Sequence, residues 1–448
     1  MSGHLDAIVL GAGPAGEVAA NALARAGLRV ALVERELIGG ECGYWACMPT
    51  KTLLRPPEVR SESERTAGVA TPQLDWRRVA AYRDWMIRHL DDSKQVASYE
   101  KRGITVVKAE GRLAGPGRVE ADGRLLEAER IVVATGSEPV IPPIPGLPEA
   151  GYWTNREATT LHEIPASAIV VGGGPVGIEL AQILARFGSK VTIVQAPERL
   201  INREDPQVGT LVAKYLEEEG IGIRLGRPLT SVRLEGGRRV VTLDDGEELS
   251  GEALVIGTGR KPRTEGLGLD TIGVDADQGG IPVDERCRVT DGVWAVGDVT
   301  GISLFTHTGK YQARIATADI LGKDVKADYR AVPRVVFSDP EIAAVGLTEE
   351  KAREQGIEAM GATVDLVQAI ARPYTYEEKP RGTLGIVADR KRQVLVGAWA
   401  VAPLASEWIH YAVLAIRAEV PLEVLRDTIP QFPTYMEGYL SALHALPA

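Results

Sequence analysis

The sequence is poor in cysteine and contains no long hydrophobic run. Its 448 residues include three cysteines, Cys42, Cys47 and Cys287, which are too few for a secreted fold held together by disulfide bonds. No stretch of about 18 apolar residues occurs, so we expect no membrane-spanning helix. The first residues, MSGHLDAIVLGAG, lack the basic region and the cleavage site of a secretory signal. These absences favour a cytoplasmic protein.

Basic residues are fewer than acidic ones, 51 against 61, which leaves a formal net charge of −10. Phosphate backbones repel such a protein, so a nucleic-acid partner is not expected. No second group of cysteines or histidines accompanies Cys42 and Cys47, so no metal site is predicted. Hydrophobic residues make up 44% and charged residues 25%, an ordinary balance for a folded globular protein. The length corresponds to about three domains.

The clearest feature that is present is an internal repeat. Residues 5–34, LDAIVLGAGPAGEVAANALARAGLRVALVE, and residues 166–195, ASAIVVGGGPVGIELAQILARFGSKVTIVQ, share one pattern. Each has an apolar run, a Gly-x-Gly-x-x-Gly motif, a segment of helical period and a second apolar run. Because parallel strands need a crossover helix, the repeat predicts two βαβ units. The sequence therefore predicts an α/β fold with two Rossmann-like dinucleotide-binding domains.

In the first copy the motif glycines are Gly11, Gly13 and Gly16, and Glu34 ends the second strand. The first glycine permits a tight turn, the second lets a pyrophosphate approach the backbone, and the third lets the helix pack on the strand. Free N–H groups at the helix N-terminus attract the phosphates. Glu34 can accept hydrogen bonds from a ribose diol. We interpret this copy as a nucleotide site rather than as a turn without a ligand.

In the second copy the glycines are Gly172, Gly174 and Gly177, but the position of the acid is Gln195. A carboxylate there would bind a bare ribose and repel a 2′-phosphate, whereas a neutral glutamine does neither decisively. Arg199 could meet a 2′-phosphate, or it could be an ordinary surface arginine. These features favour NADPH slightly over NADH. Two dinucleotide sites in one chain indicate a flavin paired with a nicotinamide cofactor.

The segments outside the repeat predict further strands and helices. Apolar residues scattered among charges predict helices over 56–100, and Gly and Asp turns predict short strands over 104–136 and 239–260. The proline-rich stretch at 139–148 is a candidate domain boundary. After Pro333 the pattern mixes strands and helices up to the C-terminus.

Cys42 and Cys47 have four residues between them in the stretch GGECGYWACMPTKTLL, residues 39–54. A cysteine near a helix N-terminus has a stabilised thiolate, which is the reactive species in disulfide exchange. Four intervening residues can close a disulfide if they form one helical turn with a bend. The alternatives are two buried apolar cysteines or half of a metal site. Cys287 has no cysteine nearby and is interpreted as structural.

The stretch Gly39-Gly40-Glu41-Cys42-x4-Cys47-Met48-Pro49-Thr50-Lys51 resembles the redox-active signature of the pyridine nucleotide–disulfide oxidoreductases. Three further matches are spread over the chain. Two of them, Ala134-Thr135-Gly136 and Gly257-Thr258-Gly259-Arg260, resemble the strand-end signatures of that family. The third, Ala295-Val296-Gly297-Asp298, resembles its second flavin motif, whose aspartate binds the ribityl chain. The four matches together are much more specific than any one of them.

The resemblance implies a homodimeric enzyme with FAD and NAD(P)H as cofactors. It implies an FAD-binding domain over 1–150 and an NAD(P)-binding domain over 151–262. A central domain over 263–330 would complete the FAD site, and an α+β dimerisation domain would occupy 331–448.

The same resemblance implies a role for each reactive side chain. Cys47 would be the charge-transfer thiolate against the flavin ring, and Cys42 the interchange thiol. Lys51 would lie near the flavin N5 and pair with Glu179 from the second βαβ helix, where positive charge stabilises anionic reduced flavin. Some members have a tyrosine gate where this chain has Pro175, so we expect no gate of that type.

The C-terminal region departs from the family pattern. Members that reduce disulfides carry His-Pro-Thr-x-x-Glu, a His–Glu pair contributed across the dimer that moves the proton of the interchange thiol. Here Phe432 replaces the histidine and Glu437 is retained. A positioned acid–base group is worth roughly 10² to 10⁴ in rate, so we expect altered chemistry. His410 and His444 have no favourable spacing, and Tyr435 with an ordinary pKa near ~10 would be a poor base.

We therefore expect a dihydrolipoamide dehydrogenase-like enzyme that passes electrons from NAD(P)H through FAD to the Cys42–Cys47 disulfide. The final acceptor would be a small molecule, a disulfide or a quinone. One alternative is an NAD(P)H:quinone or dye reductase that acts directly from the flavin. A mercuric reductase is disfavoured because the chain ends SALHALPA, without a cysteine pair. A flavin-binding module that only docks a partner is disfavoured by the retained Lys51 and Glu179.

Overall fold

The computed structural model of the protein describes residues 4–276 and 279–447. The chain is divided into two compact units. Both units combine sheets with helices, so the α/β class predicted from the sequence is confirmed. The first unit comprises Met1–Thr50, Ala81–Val140 and Gly259–Asp328, and the second comprises Lys51–Ala80, Ile141–Thr258 and Tyr329–Ala448.

The first unit is built on a sheet of eight strands. Its central strand, Leu5–Leu10, pairs in parallel with Val30–Val33 on one side and with Arg124–Val133 on the other. The helix Pro14–Arg25 connects the first two strands, which confirms the first predicted βαβ unit. The main order of the sheet is Arg288–Thr290, Val293–Ala295, Arg124–Val133, Leu5–Leu10, Val30–Val33 and Thr105–Val107, and Gly111–Leu113 and Arg118–Ala121 pair antiparallel beside Arg124–Val133.

Both faces of this sheet are buried. Along the central strand, Ala7 and Val9 belong to one hydrophobic cluster, whereas Ile8 and Leu10 belong to another. This alternation is the two-residue period of a strand that is covered on both sides. The other elements of the unit are the helices Gly40–Tyr44, Ser93–Lys101 and Thr306–Ile320, the 3₁₀ turns Arg88–Leu90, Leu269–Ile272 and Asp298–Thr300, and the strand pair Ser137–Pro139 and Arg260–Pro262.

The second unit contains a four-stranded parallel sheet. Strand Ser167–Val171 pairs with Lys190–Gln195, and the helix Pro175–Arg186 connects them, which confirms the second βαβ unit. The sheet order is Gly222–Leu225, Lys190–Gln195, Ser167–Val171 and Ala253–Ile256. An antiparallel sheet of three strands accompanies it, together with three helices: Leu229–Glu235, Arg238–Leu243 and Glu248–Gly251 are the strands, and Leu147–Ala150, Asn155–Thr160 and Pro206–Glu218 are the helices.

The C-terminal part of the second unit mixes strands and helices, as the pattern after Pro333 predicts. Its five antiparallel strands lie in the order Pro333–Val336, Glu341–Gly346, Val394–Ala402, Thr383–Asp389 and Ala359–Asp365. Its helices are Glu349–Glu354, Leu366–Ala369, Arg372–Tyr376, Ala405–Trp408, His410–Arg417, Leu422–Arg426 and Glu437–Ala445.

Two more helices, Cys47–Glu64 and Trp76–Met86, contain residues of both units. With Ser93–Lys101 they account for the helices predicted over 56–100. Among the residues that the structure describes, no helix has the length and apolar character needed to cross a membrane.

Glu341, at the start of the strand Glu341–Gly346, is a largely buried acid. Burial raises its pKa to about 7, although the backbone N–H and the hydroxyl of Ser406 donate to its two oxygens at 2.7 and 3.1 Å. The charges of Glu58 and Glu407 also raise the pKa. The folded state therefore holds a proton that the unfolded state has lost between pH 4.5 and 7. Stability falls as the pH rises through this range.

Glu341→Gln is accordingly expected to raise the thermal unfolding midpoint by about 2–4 °C at pH 8, and by much less at pH 5. A glutamine keeps both contacts, since its oxygen can accept the Ser406 N–H and its NH₂ group can donate to the Ser406 hydroxyl. Calorimetric scans at the two pH values measure the effect. The exposed Glu350→Gln variant, which makes the same charge change, is the control. An equal rise of the unfolding midpoint at both pH values would contradict a raised pKa of Glu341.

Candidate functional site

The first glycine loop has the geometry that its motif predicts. Gly11 has a φ of +95°, and a Cβ on it would lie 2.4 Å from the carbonyl oxygen of Ala134. A Cβ on Gly16 would lie 1.9 Å from the carbonyl oxygen of Gly11. By contrast, a Cβ on Gly13 would meet nothing within 4 Å, and no side chain caps the helix that follows. This uncapped helix start, facing open space, fits a pyrophosphate.

The second loop repeats these contacts. Gly172 has a φ of +110°, and a Cβ there would lie 2.3 Å from the carbonyl oxygen of Gly257. A Cβ on Gly177 would lie 1.9 Å from the carbonyl oxygen of Gly172, and one on Gly174 would meet nothing within 4 Å. The helix Pro175–Arg186 also begins without a capping side chain. The chain therefore contains two loops with the same fit to a dinucleotide pyrophosphate.

Glu34 and Gln195 occupy equivalent places at the two loops. An oxygen of Glu34 accepts the N–H of Ala12 at 2.7 Å, and the oxygen of Gln195 accepts the N–H of Gly173 at 2.7 Å. The Gln195 NH₂ group donates to the carbonyl of Arg199 at 3.2 Å. Burial raises the pKa of Glu34. Both side chains brace their loops, a role that the motif did not predict.

The two strand-end signatures contribute hydrogen bonds from backbone and side chain, and glycines with open space beside them. Ala134 donates its N–H to the carbonyl of Leu10 at 2.7 Å. This bond extends the pairing of the strands Leu5–Leu10 and Arg124–Val133 as far as the residue before Gly11. The hydroxyl of Thr135 donates to the carbonyl of Arg263 at 3.0 Å. Cβ atoms on Gly136 and on Gly259, which have φ values of +76° and +122°, would meet nothing within 4 Å. Both glycines therefore leave open space beside the backbone.

Asp298 is half-buried and has a close partner in Ser137, whose hydroxyl donates to it at 2.6 Å. Burial raises the pKa of Asp298. Arg260 in turn donates to the hydroxyl of Ser137 at 2.8 Å and to its carbonyl at 2.8 Å. Gly297, next to Asp298, donates its N–H to the side chain of Gln312 at 2.7 Å. Sequence reasoning missed Ser137 and Gln312, because both lie outside the matched motifs.

The two cysteines of the redox-active signature lie together in the first unit. Cys42 lies in the short helix Gly40–Tyr44, and Cys47 is the first residue of the next helix. A hydrogen bond between the two sulfurs, burial and the charge of Cys47 raise the pKa of the Cys42 thiol. These surroundings therefore favour the protonated form of Cys42. The bend between two helical segments agrees with the spacing argument.

Thr306 is a further contact of this pair that the sequence did not reveal. Its hydroxyl lies 3.5 Å from the Cys47 sulfur. Hydrogen bonding by Thr306 also lowers the pKa of Cys42, against the larger effects that raise it. Thr306 is the first residue of the helix Thr306–Ile320. Its distance of 259 residues from Cys47 explains why no local pattern indicated it.

Lys51 and Glu179 form the ion pair that the resemblance implies. The Lys51 ammonium lies 2.7 and 3.0 Å from the two oxygens of Glu179, which is buried. The N–H of Phe337 donates to Glu179 at 2.9 Å, and the Phe337 ring centroid lies 4.8 Å from the ammonium. Phe337 therefore contacts both members of the pair, through its backbone and its ring. It was not singled out in the sequence.

Phe432 is 65% exposed, in the segment before the helix Glu437–Ala445. Glu437 is the first residue of that helix, and its carboxylate accepts the N–H of Thr434 at 3.1 Å, which ties the preceding segment to the helix start. Tyr435 is buried, with its ring 5.9 Å from that of Trp408, and burial raises its pKa further above its ordinary value. Tyr435 is thus unsuited to proton transfer near neutral pH.

The remaining candidates have ordinary positions. His410 and His444 are exposed on C-terminal helices, and Cys287 is fully buried in the core of the first unit. Among the residues 4–276 and 279–447, no group of three or more His, Cys, Asp or Glu side chains could hold a metal ion.

Comparison with known families gives two matches. The family described as pyridine nucleotide-disulphide oxidoreductase matches residues 5–319. Its dimerisation domain matches residues 332–443.

Several individual proteins are similar over almost the whole chain. A dihydrolipoyl dehydrogenase of Thermus scotoductus is 34% identical, covering 98% of this chain and 97% of that protein. A mercuric reductase of Bacillus cereus is 31% identical, covering 97% of this chain and 70% of that protein. The solved structure of the HOCl-induced flavoprotein disulfide reductase RclA from Escherichia coli has a TM-score of 0.87 and 30% identity, covering 98% of this chain and 99% of that one.

Proposed function

Because the chain belongs to the pyridine nucleotide-disulphide oxidoreductases, we propose that Cys42 and Cys47 are its redox-active pair and reduce a small-molecule acceptor. The protein is an oxidoreductase that uses FAD and NAD(P)H. Bound FAD would supply the two-electron transfer that links hydride donation by NAD(P)H to reduction of the Cys42–Cys47 disulfide. With one further proton from solvent the S–S bond breaks and two thiols form, which then reduce the acceptor and close the disulfide again.

The observation that carries the proposal is the closeness of the two sulfurs, which share a hydrogen bond next to the Thr306 hydroxyl. The thiolate is the species that attacks a disulfide, so Cys42, whose protonated form is favoured, needs a base before it can exchange with an outside acceptor. We therefore assign Cys42 as the interchange thiol and Cys47 as the thiolate next to the flavin. Thr306, which contacts Cys47, helps to hold that charge.

The two glycine loops and the strand-end signatures supply the proposed cofactor sites. FAD would be held by the first loop, Glu34 and Asp298, and NAD(P)H by the second loop and Gln195. In full, we assign Gly11, Gly13, Gly16, Glu34, Ala134, Thr135, Gly136, Gly297 and Asp298 to FAD, and Gly172, Gly174, Gly177, Gln195, Arg199 and Gly259 to NAD(P)H.

The domain borders at 150, 262 and 330 are part of the same proposal, and so is a homodimer formed through residues 331–448. The match of the dimerisation domain to residues 332–443 supports the homodimer. In that dimer Glu437 and Phe432 would be contributed to the cysteine pair of the other subunit.

A direct NAD(P)H:quinone reductase is the second candidate function. Phe432 favours it, because a phenyl ring cannot take a proton from Cys42 and Glu437 already accepts a backbone N–H. Such an enzyme would pass electrons from the flavin to the quinone without using the cysteines.

Cys42→Ser separates the two candidates. If the proposal is right, turnover of a small aromatic disulfide falls at least about 10²-fold in this variant, because the attacking thiol is gone. Rates with a benzoquinone are measured in parallel, with Cys287→Ala as the matched control, since it removes the third cysteine. A wild type that reduces the quinone but no disulfide, with quinone rates unchanged in Cys42→Ser, would reject the proposal in favour of direct transfer.

A further inference from the structure

The turn after the second strand of the second βαβ unit places an unpaired carboxylate beside the nucleotide loop. The strand Lys190–Gln195 ends at Gln195, and Glu198 follows in an exposed turn. In a doubly wound sheet the adenosine ribose of a dinucleotide binds at the carboxyl end of this strand. A bound nicotinamide nucleotide would therefore bring the 2′ position of its ribose to this turn, where NADPH carries a phosphate and NADH a hydroxyl.

Gln195 itself is fully engaged. Its amide oxygen accepts the N–H of Gly173 and its NH₂ group donates to the carbonyl of Arg199, and the side chain is buried. This amide braces the loop. Gln195 would therefore serve the proposed nicotinamide site through the loop that it holds in place, and not by a direct bond to the substituent on the ribose.

Glu198 occupies a defined position next to Gly226. A Cβ on Gly226 would lie 2.6 and 2.8 Å from the two carboxylate oxygens of Glu198, and the φ of Gly226 is +65°. Two backbone hydrogen bonds fix the backbone on either side: Gly226 donates to the carbonyl of Pro197 at 3.1 Å, and Arg227 to that of Gln195 at 3.1 Å. The glycine thus leaves the room that the carboxylate fills, at the carboxyl ends of two neighbouring strands.

The charges around this carboxylate leave it uncompensated. Within the described part of the chain, Glu198 has neither a hydrogen bond nor an ion pair through its side chain. The cation nearest in sequence to Gly226, Arg227, is paired with Asp244 at 3.3 Å and with Asp245 at 3.0 Å. The Cβ of Arg199 lies 3.3 Å from the place of a Cβ on Gly209, and among the described residues Arg199 forms no ion pair with Glu198. A 2′-phosphate brought here would meet negative charge.

We propose that Glu198 is the residue that discriminates at the ribose 2′ position, accepting hydrogen bonds from the diol of NADH and repelling the 2′-phosphate of NADPH. Glu198 then replaces the missing acid at position 195. This departs from the preference for NADPH that Gln195 and Arg199 favour in the sequence. The inference rests on the proposed nicotinamide site at the second glycine loop and is independent of the cysteine pair and of the acceptor.

Direct nucleotide binding to the oxidised holoenzyme tests the inference without any turnover. Isothermal titration with NAD⁺, NADP⁺ and adenosine 2′,5′-bisphosphate gives the dissociation constants. We expect the wild type to bind NAD⁺ at least about 10-fold more tightly than NADP⁺, as one carboxylate acting on a phosphate a few ångströms away in a solvated site predicts. The bisphosphate should bind weakly, and its binding to the wild type should tighten with added salt as the repulsion is screened.

Glu198→Gln is the decisive variant. We expect the Kd of NADP⁺ and of the bisphosphate to fall about 10-fold while that of NAD⁺ rises by no more than a few-fold, and the NADH/NADPH ratio of kcat/KM to fall in parallel. Glu217→Gln, an exposed acid of the helix Pro206–Glu218, is the control for net charge and should change neither ratio.

Two results would overturn the inference: a wild type that binds NADP⁺ as well as NAD⁺, or a Glu198→Gln variant whose NAD⁺/NADP⁺ ratio stays within twofold of the wild type. Failure of the redox proposal would look different, because the nucleotides would still bind with the stated selectivity while disulfide turnover was absent.

Discussion

Replacing Cys47 by serine is expected to abolish the long-wavelength absorption band that two-electron reduction produces in the wild-type enzyme. It is also expected to lower disulfide turnover by at least about 10³-fold. The band needs a thiolate against an oxidised flavin ring, and a serine hydroxyl is not ionised at neutral pH. In the proposed mechanism the negative charge of the reduced pair lies on Cys47, where a hydrogen bond from the Cys42 thiol and the contact with the Thr306 hydroxyl would stabilise it.

The measurement is an anaerobic titration with NADH, followed by absorbance. The matched variant Cys42→Ser should show the long-wavelength band before any reduction, because its Cys47 has no disulfide partner and already carries its charge. Cys287→Ala should titrate like the wild type, since Cys287 lies in the buried core of the first unit. If the band persisted in Cys47→Ser, the Cys47 sulfur would not be the thiolate next to the flavin.

The glycine loops are the part of the site that the sequence predicts best. Their geometry depends on contacts over a few residues, such as the approach of Gly16 to Gly11, and on a positive φ that glycine adopts freely. The periods of the flanking runs then locate the strands and helices. This local information explains why both βαβ units appear at the predicted positions.

The residues that the sequence did not reveal are brought to the site from afar. Thr306 reaches Cys47 across 259 residues, and Ser137 reaches Asp298 across 161. Phe337 joins the Lys51–Glu179 pair partly through its backbone N–H, which any residue except proline carries. Such contacts are set by the packing of whole elements. A single sequence does not contain them as a pattern.

Glu198 illustrates a third case, in which the residue that we propose lies outside the position that the motif indicates. The acid of a dinucleotide motif is sought at the end of the second strand, where this chain has Gln195. The structure shows Gln195 bonded to its own loop and a carboxylate three positions later, fitted against the glycine that follows the neighbouring strand. Only the positive φ of Gly226 and the pairing of the strands reveal that relation.

Phe432→His is expected to raise kcat/KM for a small disulfide such as lipoamide by about 10- to 100-fold, part of the roughly 10² to 10⁴ that a well-placed acid–base group supplies. Phe432 is 65% exposed within its own unit, so an imidazole can replace the ring without disturbing the core. Glu437 uses one oxygen for the N–H of Thr434, and its other oxygen has no hydrogen bond among the described residues. That oxygen is available to orient an imidazole.

Stopped-flow and steady-state rates over pH 5.5–9 distinguish a gain in acid–base catalysis from a gain in packing. An imidazole that moves the proton of Cys42 adds an ionisation near its ordinary pKa of ~6.5 to the pH profile, whereas a packing effect does not. Phe432→Leu removes the ring without adding a base and should show no gain. Adding Glu437→Gln to Phe432→His should lose most of it, because the imidazole is no longer oriented. If Phe432→His and Phe432→Leu had the same rates and the same profile, the missing histidine would not be what limits disulfide reduction. The acceptor would then have to be one that takes electrons without a proton from Cys42, as a quinone does when it is reduced directly by the flavin.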